Sequence, residues 1–297
     1  MFETITRRSL RRGALAGIAV AAAGAVLAAC SSSGGGSSNN STPAAGGTGA
    51  SSSGAAASTG LMQPGVLTVG MNLQFKPEMY LDNGKPAGYD VDLLNKLAAS
   101  MGVKLNIQNL DFNGLIPGLQ AKKFDLVSVG LTPNADREKV VDFTRSYVPY
   151  ASILAVKASD NSPASISTYN KSGVTITALQ GSSDETLAKA SFPKAKVEGL
   201  SDQSATLLEV QTGRAQGAVL EDYILAQYVK ANPGQLKQAQ LAKPLSLSYG
   251  SWAVQKGDTA LTNALNAFLC KAQSDGTLAQ LYKQDFGATM PTMPAGC

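Results

Sequence analysis

The sequence predicts an α/β fold in two lobes, each a mostly parallel sheet flanked by helices, with a two-strand hinge between them. From residue 66 onward, short β-like runs alternate with helix-like runs, which is typical of parallel sheets. Residues 61–297 are long for one such sheet, which favours two lobes. Two extended segments, 147–156 and 245–254, can cross between the lobes. Lobes of this kind enclose a cleft beyond the carboxyl ends of their strands, suited to capturing a small molecule.

The first strand and the first helix carry the clearest patterns. Residues 66–70 read Val-Leu-Thr-Val-Gly, and residues 90–101 place apolar side chains at helical spacing before Gly102. The other predicted elements are strand 103–110, helix 115–121, strand 125–129, strand 174–178, helix 184–191, strand 196–199, helix 203–212, strand 216–220 and helix 222–230. This order assigns residues 61–152 and 249–297 to lobe 1 and residues 153–248 to lobe 2.

Residues 1–29 are predicted to be a signal peptide. Four arginines precede an uncharged run, 13–29, that is short and weakly apolar for a membrane span. The pair Arg7-Arg8 is compatible with twin-arginine export, and equally with an arginine-rich start of a general secretory signal.

Leu27-Ala28-Ala29-Cys30 is similar to a bacterial lipobox, in which the cysteine is lipidated after cleavage. A small-residue cleavage site with a chance cysteine is the alternative, but the chain has only three cysteines. Residues 30–60 then form a Ser/Gly/Ala-rich tether without apolar side chains to bury. We therefore expect a lipoprotein anchored on the extracytoplasmic face of the cell membrane.

The composition excludes several classes of function. Removing residues 1–29 lowers the net charge from +4 to +1, with 21 basic and 20 acidic residues left, which argues against nucleic acid as a partner. The chain has no histidine, so Ser-His-Asp and Cys-His catalysis and His-containing zinc sites are excluded. No metal or cofactor is expected. The thiols left, Cys270 and Cys297, predict a disulfide in an exported protein, with two free thiols as the alternative.

Several motifs agree in order and spacing with one family. They are Gly88-Tyr89-Asp90-Val91-Asp92-Leu93, residues 112–119 (Phe-Asn-Gly-Leu-Ile-Pro-Gly-Leu), residues 124–126 (Phe-Asp-Leu), 132–137, 141–143, 179–183, 213–219 and 249–286. Over residues 64–290 the chain resembles the family 3 extracellular solute-binding proteins, the polar amino acid receptors of ABC importers. The resemblance implies a periplasmic-binding-protein-like fold.

The resemblance implies a site for the carboxylate of an amino acid. The family holds this group with an arginine and a hydroxyl, and Arg137 and Thr132 stand at those positions. A guanidinium forks onto a carboxylate with two parallel hydrogen bonds. The alternative for Arg137 is an ordinary helix-surface residue paired with Asp136 or Glu138.

A second contact to the carboxylate is implied for residues 181–183, Gly-Ser-Ser. Glycine allows close approach of the backbone, and N–H groups at a helix start attract an anion. Ser182 with Glu185 also forms a capping-box pattern, which only begins a helix. The two interpretations of Ser182 and Ser183 are compatible.

For the ammonium group the family uses an aspartate at the end of a strand, where this chain has Glu221 followed by Asp222. Side chains alternate along a strand, so the two should not both face the cleft, and we favour Glu221. The resemblance also makes Phe75 and Phe112 walls of the site, with ordinary core positions as the alternative, and adds Gly130 and Leu179 as ligand contacts.

The side-chain specificity depends on two positions. Asn72 stands where receptors for cationic amino acids carry an aspartate, and an amide compensates a buried cation poorly. Lys76-Pro77-Glu78 departs from the Pro-Pro-Phe or Pro-Pro-Met that is typical of the family. We therefore expect a ligand with a neutral polar side chain, unless Glu78 turns inward.

The resemblance implies a monomeric receptor that closes its lobes on an amino acid and passes it to the membrane subunits of an ABC importer. An enzyme on the same fold, similar to cyclohexadienyl dehydratase, is one alternative, with Glu78 or Glu221 as its acid. A ligand-sensing lipoprotein is the other. Because an ammonium already accounts for Glu221, we favour a binding protein without catalytic residues.

Overall fold

The computed structural model describes residues 60–294 and residue 297. The predicted signal peptide, Cys30 and nearly all of the tether lie outside these residues. The strands of the described part are β1 (Val66–Met71), β2 (Gln74–Phe75), β3 (Met79–Asp82), β4 (Lys85–Ala87), β5 (Lys104–Asn109), β6 (Leu126–Leu131), β7 (Val141–Lys157), β8 (Thr175–Leu179), β9 (Lys196–Leu200), β10 (Gly217–Glu221), β11 (Leu236–Gln238) and β12 (Ser246–Gln255).

The helices of the described part include every one that the sequence predicted. They are α1 (Tyr89–Met101), α2 (Leu115–Gln120), α3 (Ala135–Glu138), α4 (Ile166–Tyr169), α5 (Ser183–Ser191), α6 (Gln203–Thr212), α7 (Asp222–Ala231), α8 (Thr259–Ser274) and α9 (Thr277–Phe286). A 3-10 turn, Phe112–Gly114, precedes α2. No helix of the described segment is long and apolar enough to cross a membrane.

One large sheet runs through the molecule in the order β5-β1-β6-β12-β7-β10-β8-β9, with β11 beside β7. We call β5-β1-β6 the first half-sheet and β10-β8-β9 the second half-sheet. Each half-sheet is parallel internally, whereas β12 and β7 run antiparallel to their neighbours between them. This is the predicted two-lobed α/β class.

The two extended segments of the sequence are the strands that join the half-sheets. β7 has 17 residues and pairs with β12 from Val141 to Ser152. Beyond that, Ser152 to Ala155 of the same strand pair with β10 of the second half-sheet. The lobe bounds predicted above, 61–152 with 249–297 and 153–248, stay a prediction.

The apolar spacing of α1 explains where this helix lies. Val91, Leu94, Leu97 and Ala98 are all buried, because residues three and four apart share one helix face. The helix ends at Gly102, as the sequence predicts, in the left-handed conformation that commonly terminates helices. The buried core continues through the large side chains of β7 and β12, notably Trp252.

The small sheet β2-β3-β4, strand β11 and the helices α8 and α9 were not assigned from the sequence. The strands of this small sheet have two to four residues, too few for alternation to be recognised. The sheet matters for function, since β2 ends at Phe75 and the turn before β3 carries Glu78.

Cys270 lies in α8, and its Cα atom is 5.4 Å from that of Cys297. This separation falls within the range that a disulfide spans. The pairing of the two cysteines stays a prediction.

The contact between β6 and β12 leads to a test of the fold. A Cβ atom on Gly250 would lie 2.6 Å from the Cα atom of Gly130, and backbone cannot move aside as a side chain can. We expect Gly250→Ala to lower the free energy of unfolding by about 1–3 kcal/mol, the usual cost of overpacking. Chemical denaturation measures the change. The control is Gly114→Ala, where a Cβ would meet nothing within 4 Å. Equal stability of the two variants would contradict this close approach.

Candidate functional site

A small cavity lies at the carboxyl ends of strands from both half-sheets. β6, β8 and β10 end at Leu131, Leu179 and Glu221, and each of these residues lines it. The lining residues are Phe75, Glu78, Phe112, Val129, Gly130, Leu131, Thr132, Arg137, Tyr150, Leu179, Ser182, Ser183, Asp184, Gln203, Glu221 and Tyr223. The mixed apolar and polar lining is typical of a small-molecule site.

Nine of the ten predicted ligand-binding residues line this cavity: Phe75, Phe112, Gly130, Thr132, Arg137, Leu179, Ser182, Ser183 and Glu221. Asn72 does not. Its amide nitrogen donates to the Leu110 carbonyl at 2.7 Å, and its amide oxygen accepts from Gln74 at 2.5 Å. The side chain of Asn72 therefore ties together the segments that follow β1 and β5, which places it behind the cavity wall.

Arg137 is a buried cation on α3, which begins directly after β6. The residue is 8% exposed, and its guanidinium donates to the carbonyls of Thr132 at 2.7 Å and Gly181 at 3.0 Å. Burial lowers the pKa of Arg137 to about 10, so the side chain stays charged at neutral pH.

The surface-residue alternative for Arg137 does not match these contacts. Among the described residues, Arg137 takes part in none of the ion pairs, and Asp136 pairs with Lys139 instead. A buried cation held by neutral carbonyls keeps an unbalanced positive charge. Its carbon atom Cζ also lies 6.0 Å from the ring centroid of Phe112, another cavity residue.

Glu78 is a buried carboxyl group in the same cavity, 1% exposed. The hydroxyl of Tyr150 donates to Oε1, and that of Tyr223 donates to Oε2 at 2.5 Å. Burial, and then the nearby charge of Asp90, raise the pKa of Glu78 to about 8. The sequence predicted a ligand with a neutral polar side chain unless Glu78 turns inward, and Glu78 does lie in the cavity.

Asp184 and Glu221 form a second acidic group in the lining. Asp184 is 3% exposed, and its Oδ1 atom has no hydrogen-bond partner in the described residues. Burial raises the pKa of Asp184, whereas burial and then the charge of Asp184 raise that of Glu221. Two carboxyl groups in such contact hold one proton between them over a wide pH range. Asp222, the alternative to Glu221, is exposed and faces a different depression beside Tyr249.

Ser182 serves the capping role that its spacing predicts. Its hydroxyl accepts from the Glu185 backbone N–H at 3.1 Å, while the Glu185 carboxylate accepts from the Gly181 N–H at 2.7 Å. Ser183 opens α5, and both serines line the cavity. The cap thus holds the two serines at the cavity wall, whereas their contact with a ligand stays a prediction.

Gly130 is required by the geometry of Glu78. Its φ is +56°, and a Cβ atom there would overlap the Tyr150 hydroxyl and lie 2.8 Å from the Glu78 carboxylate. Any other residue would therefore separate Tyr150 from Glu78.

A buried polar network supports this wall from behind. Asp90 accepts from Ser128 at 2.5 Å and from the Tyr147 hydroxyl at 2.6 Å, while Trp252 donates to Ser128 at 2.8 Å. The Tyr147 oxygen accepts in turn from the Gly130 N–H at 2.9 Å. Burial raises the pKa of Asp90 to about 7. The network fixes β6 at the point where it enters the cavity.

Four polar cavity residues, Tyr150, Asp184, Gln203 and Tyr223, were not predicted from the sequence, and neither were the apolar Val129 and Leu131. Asp184 is an ordinary acidic residue of a first helical turn, and Gln203 and Tyr223 also stand at helix starts. Tyr150 lies on the long strand β7. For Asp184 and Tyr223, the one available signal was their position next to or near the predicted residues 183 and 221. Within the described residues, no group of three or more His, Cys, Asp or Glu residues could hold a metal ion.

Comparison with known proteins gives one consistent result. The family profile described as bacterial extracellular solute-binding proteins, family 3, matches residues 67–288. The arginine-binding extracellular protein ArtP of Bacillus subtilis (strain 168) is 30% identical over 222 residues, which are 74% of this chain and 86% of that protein.

Two solved structures are similar over most of the described part. An ancestral arginine-binding protein bound to glutamine is 31% identical, with a TM-score of 0.70, and the match covers 76% of this chain and 100% of that one. An ancestral amino acid-binding protein, a precursor of cyclohexadienyl dehydratase, is 32% identical, with a TM-score of 0.68, and the match covers 75% and 95%.

The raised pKa of Glu78 makes the stability of the protein depend on pH. The pKa of Glu78 is about 8 in the folded chain and 4.5 ordinarily. Between pH 4.5 and pH 8 the folded state therefore binds more protons at Glu78 than the unfolded state does. This contribution to stability is complete below about pH 4.5 and is lost as the pH rises towards 8. The loss reaches about 1.4 kcal/mol per pH unit for one group.

We expect Glu78→Gln to reduce the fall in unfolding free energy between about pH 5 and pH 8, measured by urea denaturation without ligand. Glu198→Gln, in a surface ion pair with Lys196, is the matched control and should keep the wild-type slope. A Glu78→Gln slope equal to that of the wild type would show that Glu78 titrates in its ordinary range.

Proposed function

We propose that this chain, which belongs to the bacterial extracellular solute-binding proteins of family 3, binds a free amino acid in the cavity for delivery to an ABC importer. One observation carries the proposal: the lining holds a buried cation, Arg137, that forms no ion pair in the described residues, together with the acidic pair Asp184 and Glu221. The head of an amino acid carries one negative and one positive charge, which such a site complements.

The carboxylate subsite would be formed by Arg137, Thr132 and the start of α5. Arg137 lines the cavity, and its guanidinium already donates to two backbone carbonyls, which fix its orientation. A carboxylate bound there restores the charge balance that Arg137 lacks within the described residues. Ser182 and Ser183 line the same cavity and would donate to the second oxygen of that carboxylate.

The ammonium subsite would be formed by Glu221 and Asp184. A primary ammonium has three donors, and Asp184 Oδ1 is a buried acceptor without a partner in the described residues. Binding a cation there favours the ionised form of at least one of the two carboxyl groups. This assignment extends the predicted role of Glu221 to Asp184, which the sequence did not single out.

Capture would proceed by closure of the two lobes. Three hydrogen bonds already connect residues 66–138 with residues 179–223 around the cavity. Arg137 donates to the Gly181 carbonyl, the Gln203 N–H donates to Gln74, and Tyr223 donates to Glu78. A ligand that contacts both regions favours the closed state, since half of its contacts are absent when the lobes separate. The membrane subunits of the importer would recognise this closed shape.

The proposed location is the extracytoplasmic face of the cell membrane, with the chain held by a lipid on Cys30. The arginine-rich start, the lipobox-like residues 27–30 and the polar tether support this part of the proposal. We propose a monomer that meets its importer at the membrane surface.

Catalysis is the competing function, because one similar structure is a precursor of cyclohexadienyl dehydratase. Glu78, a buried carboxyl group with a raised pKa, has the properties of a general acid. We favour binding, since the relatives compared above are named as binding proteins. Turnover of prephenate or arogenate by the purified protein would overturn this preference.

A thermal-shift screen of residues 61–297 against the common amino acids tests the proposal directly. A ligand at a hundred times its dissociation constant should stabilise the fold by about 2.7 kcal/mol, a shift of several degrees. A shift with one amino acid or one related group would support the receptor function. No shift with any compound that has an α-amino acid head would exclude it.

Arg137→Ala should weaken binding of the amino acid found in this screen by about 2–5 kcal/mol, because the ligand carboxylate loses its buried partner. Isothermal titration calorimetry measures the change. The control is Arg214→Ala, which removes a surface ion pair with Glu209, and neither residue lines the cavity. Near-unchanged affinity of the Arg137→Ala protein would remove Arg137 from the site.

A further inference from the structure

The proposed function gives Glu78 no role in binding the head of an amino acid. Glu78 is nevertheless among the most buried charged residues of the described chain. We propose that Glu78, with Tyr150 and Tyr223, forms the subsite for a positively charged ligand side chain, so that the ligand is a basic L-amino acid. This inference rests on the proposed function and names the substrate class of the same cavity. It also identifies Glu78 as the residue that determines specificity.

The position of Glu78 is rigidly specified by its neighbours. Its backbone carbonyl accepts from the Asp90 N–H at 2.9 Å, and the Pro77 carbonyl accepts from the Tyr89 N–H at 3.3 Å. A Cβ atom on Gly88 would lie 2.6 Å from the Glu78 carbonyl oxygen, which shows how closely the two segments pack. The start of α1 thus clamps the turn that directs Glu78 into the cavity.

The hydrogen bonds around the carboxyl group suit its ionised form. Tyr150 donates to one oxygen and Tyr223 to the other, so that both oxygens act as acceptors. Within the described residues, Glu78 belongs to none of the ion pairs. Neutral donors alone do not balance a buried negative charge, so Glu78 either keeps its proton or takes a cation as its partner.

The charges of the lining agree with a ligand of net charge +1. The ionisable acids and bases of the lining, tyrosines apart, are Arg137, Glu78, Asp184 and Glu221, with a net charge of −2 when all four are ionised. One proton kept by the Asp184–Glu221 pair reduces this to −1. With Glu78 ionised, a basic amino acid brings the site to neutrality, whereas an amino acid with a neutral side chain leaves a charge of −1 unless Glu78 keeps its proton.

In the described part of the chain, the groups that act on Glu78 include no Lys or Arg side chain. Tyr150 lies on β7 and Tyr223 on α7, while Asp90 of α1 and Glu221 of β10 act on the site through their charges. Tyr89, Tyr147 and Tyr282 complete the surroundings, and the pKa of every tyrosine named here is raised by burial and neighbouring acids. These phenols stay neutral at physiological pH. A cationic ligand therefore promotes loss of the Glu78 proton, and its affinity should rise between about pH 6 and pH 8.

The expectation of a neutral ligand rested on Asn72, with an inward Glu78 as its stated exception. Asn72 lies behind the wall, engaged with Leu110 and Gln74, whereas Glu78 lines the cavity. The acidic group that Asn72 lacks is thus provided from a different position. In the sequence, this acidic group appears as Glu78 in Lys76-Pro77-Glu78, where the family typically reads Pro-Pro-Phe.

Isothermal titration of the same protein with L-arginine and with L-citrulline tests the inference. Citrulline has nearly the same shape but no side-chain charge. We expect arginine or lysine to bind about 100-fold more tightly than citrulline or glutamine, and the arginine advantage to grow with pH. Equal or tighter binding of citrulline or glutamine overturns the inference and leaves the proposed function standing. Absence of binding by every α-amino acid overturns the proposed function instead.

The variant Glu78→Gln should reduce the ratio of arginine to citrulline affinity to within about tenfold, mainly by weakening arginine. Glu198→Gln is the matched control and should keep the wild-type ratio, since Glu198 pairs with Lys196 on the surface. Tyr223→Phe provides a second variant if Glu78→Gln does not fold, and it should lower the ratio through the lost hydrogen bond. An unchanged ratio in the folded Glu78→Gln protein would show that Glu78 does not contact the ligand side chain.

Discussion

The antiparallel pairing of β7 with β12 is the constraint on which the rest of the structure depends. β12 pairs with β6 of the first half-sheet, and β7 pairs with β10 of the second, so the two half-sheets meet through this pair. Their carboxyl ends consequently face a common space, and the residues that follow those ends become the cavity wall. The close approach of Gly250 to Gly130 belongs to the same contact. In the proposed closure, this pair of strands would act as the hinge.

The cavity built in this way concentrates groups that are unfavourable when buried alone. Arg137 lacks an ion pair within the described residues, and the pKa values of Glu78, Asp184 and Glu221 are all raised by burial. Such groups reduce the stability of the folded protein unless opposite charges reach them. Under the proposed function, a charged ligand would supply these opposite charges, and ligand affinity would then be linked to protein stability.

The buried network around Asp90 explains how such a site is kept in shape. Asp90 connects Ser128 and Tyr147, and through Tyr147 it supports the backbone of Gly130. Its own backbone N–H holds the Glu78 carbonyl. One residue at the start of α1 therefore positions two parts of the wall that come from distant stretches of sequence. This gives a physical reason for the Gly88-Tyr89-Asp90 motif, which contacts the cavity only through its neighbours.

The sequence by itself determined the order of the strands in the two half-sheets and of the helices between them, because helical and alternating periodicities are local properties of the chain. The family resemblance of its motifs also predicted most of the wall, and these residues follow strand ends that share one edge of a parallel sheet. Tertiary structure decided the formation of the small sheet β2-β3-β4. It also decided that Asn72 lies outside the cavity lining, whereas Glu78, Tyr150 and Asp184 belong to it. Each of these depends on contacts between residues far apart in sequence, such as Tyr150 with Glu78, which no local pattern encodes. The charge balance of the site, on which the proposed class of ligand rests, therefore became visible only once the chain was folded.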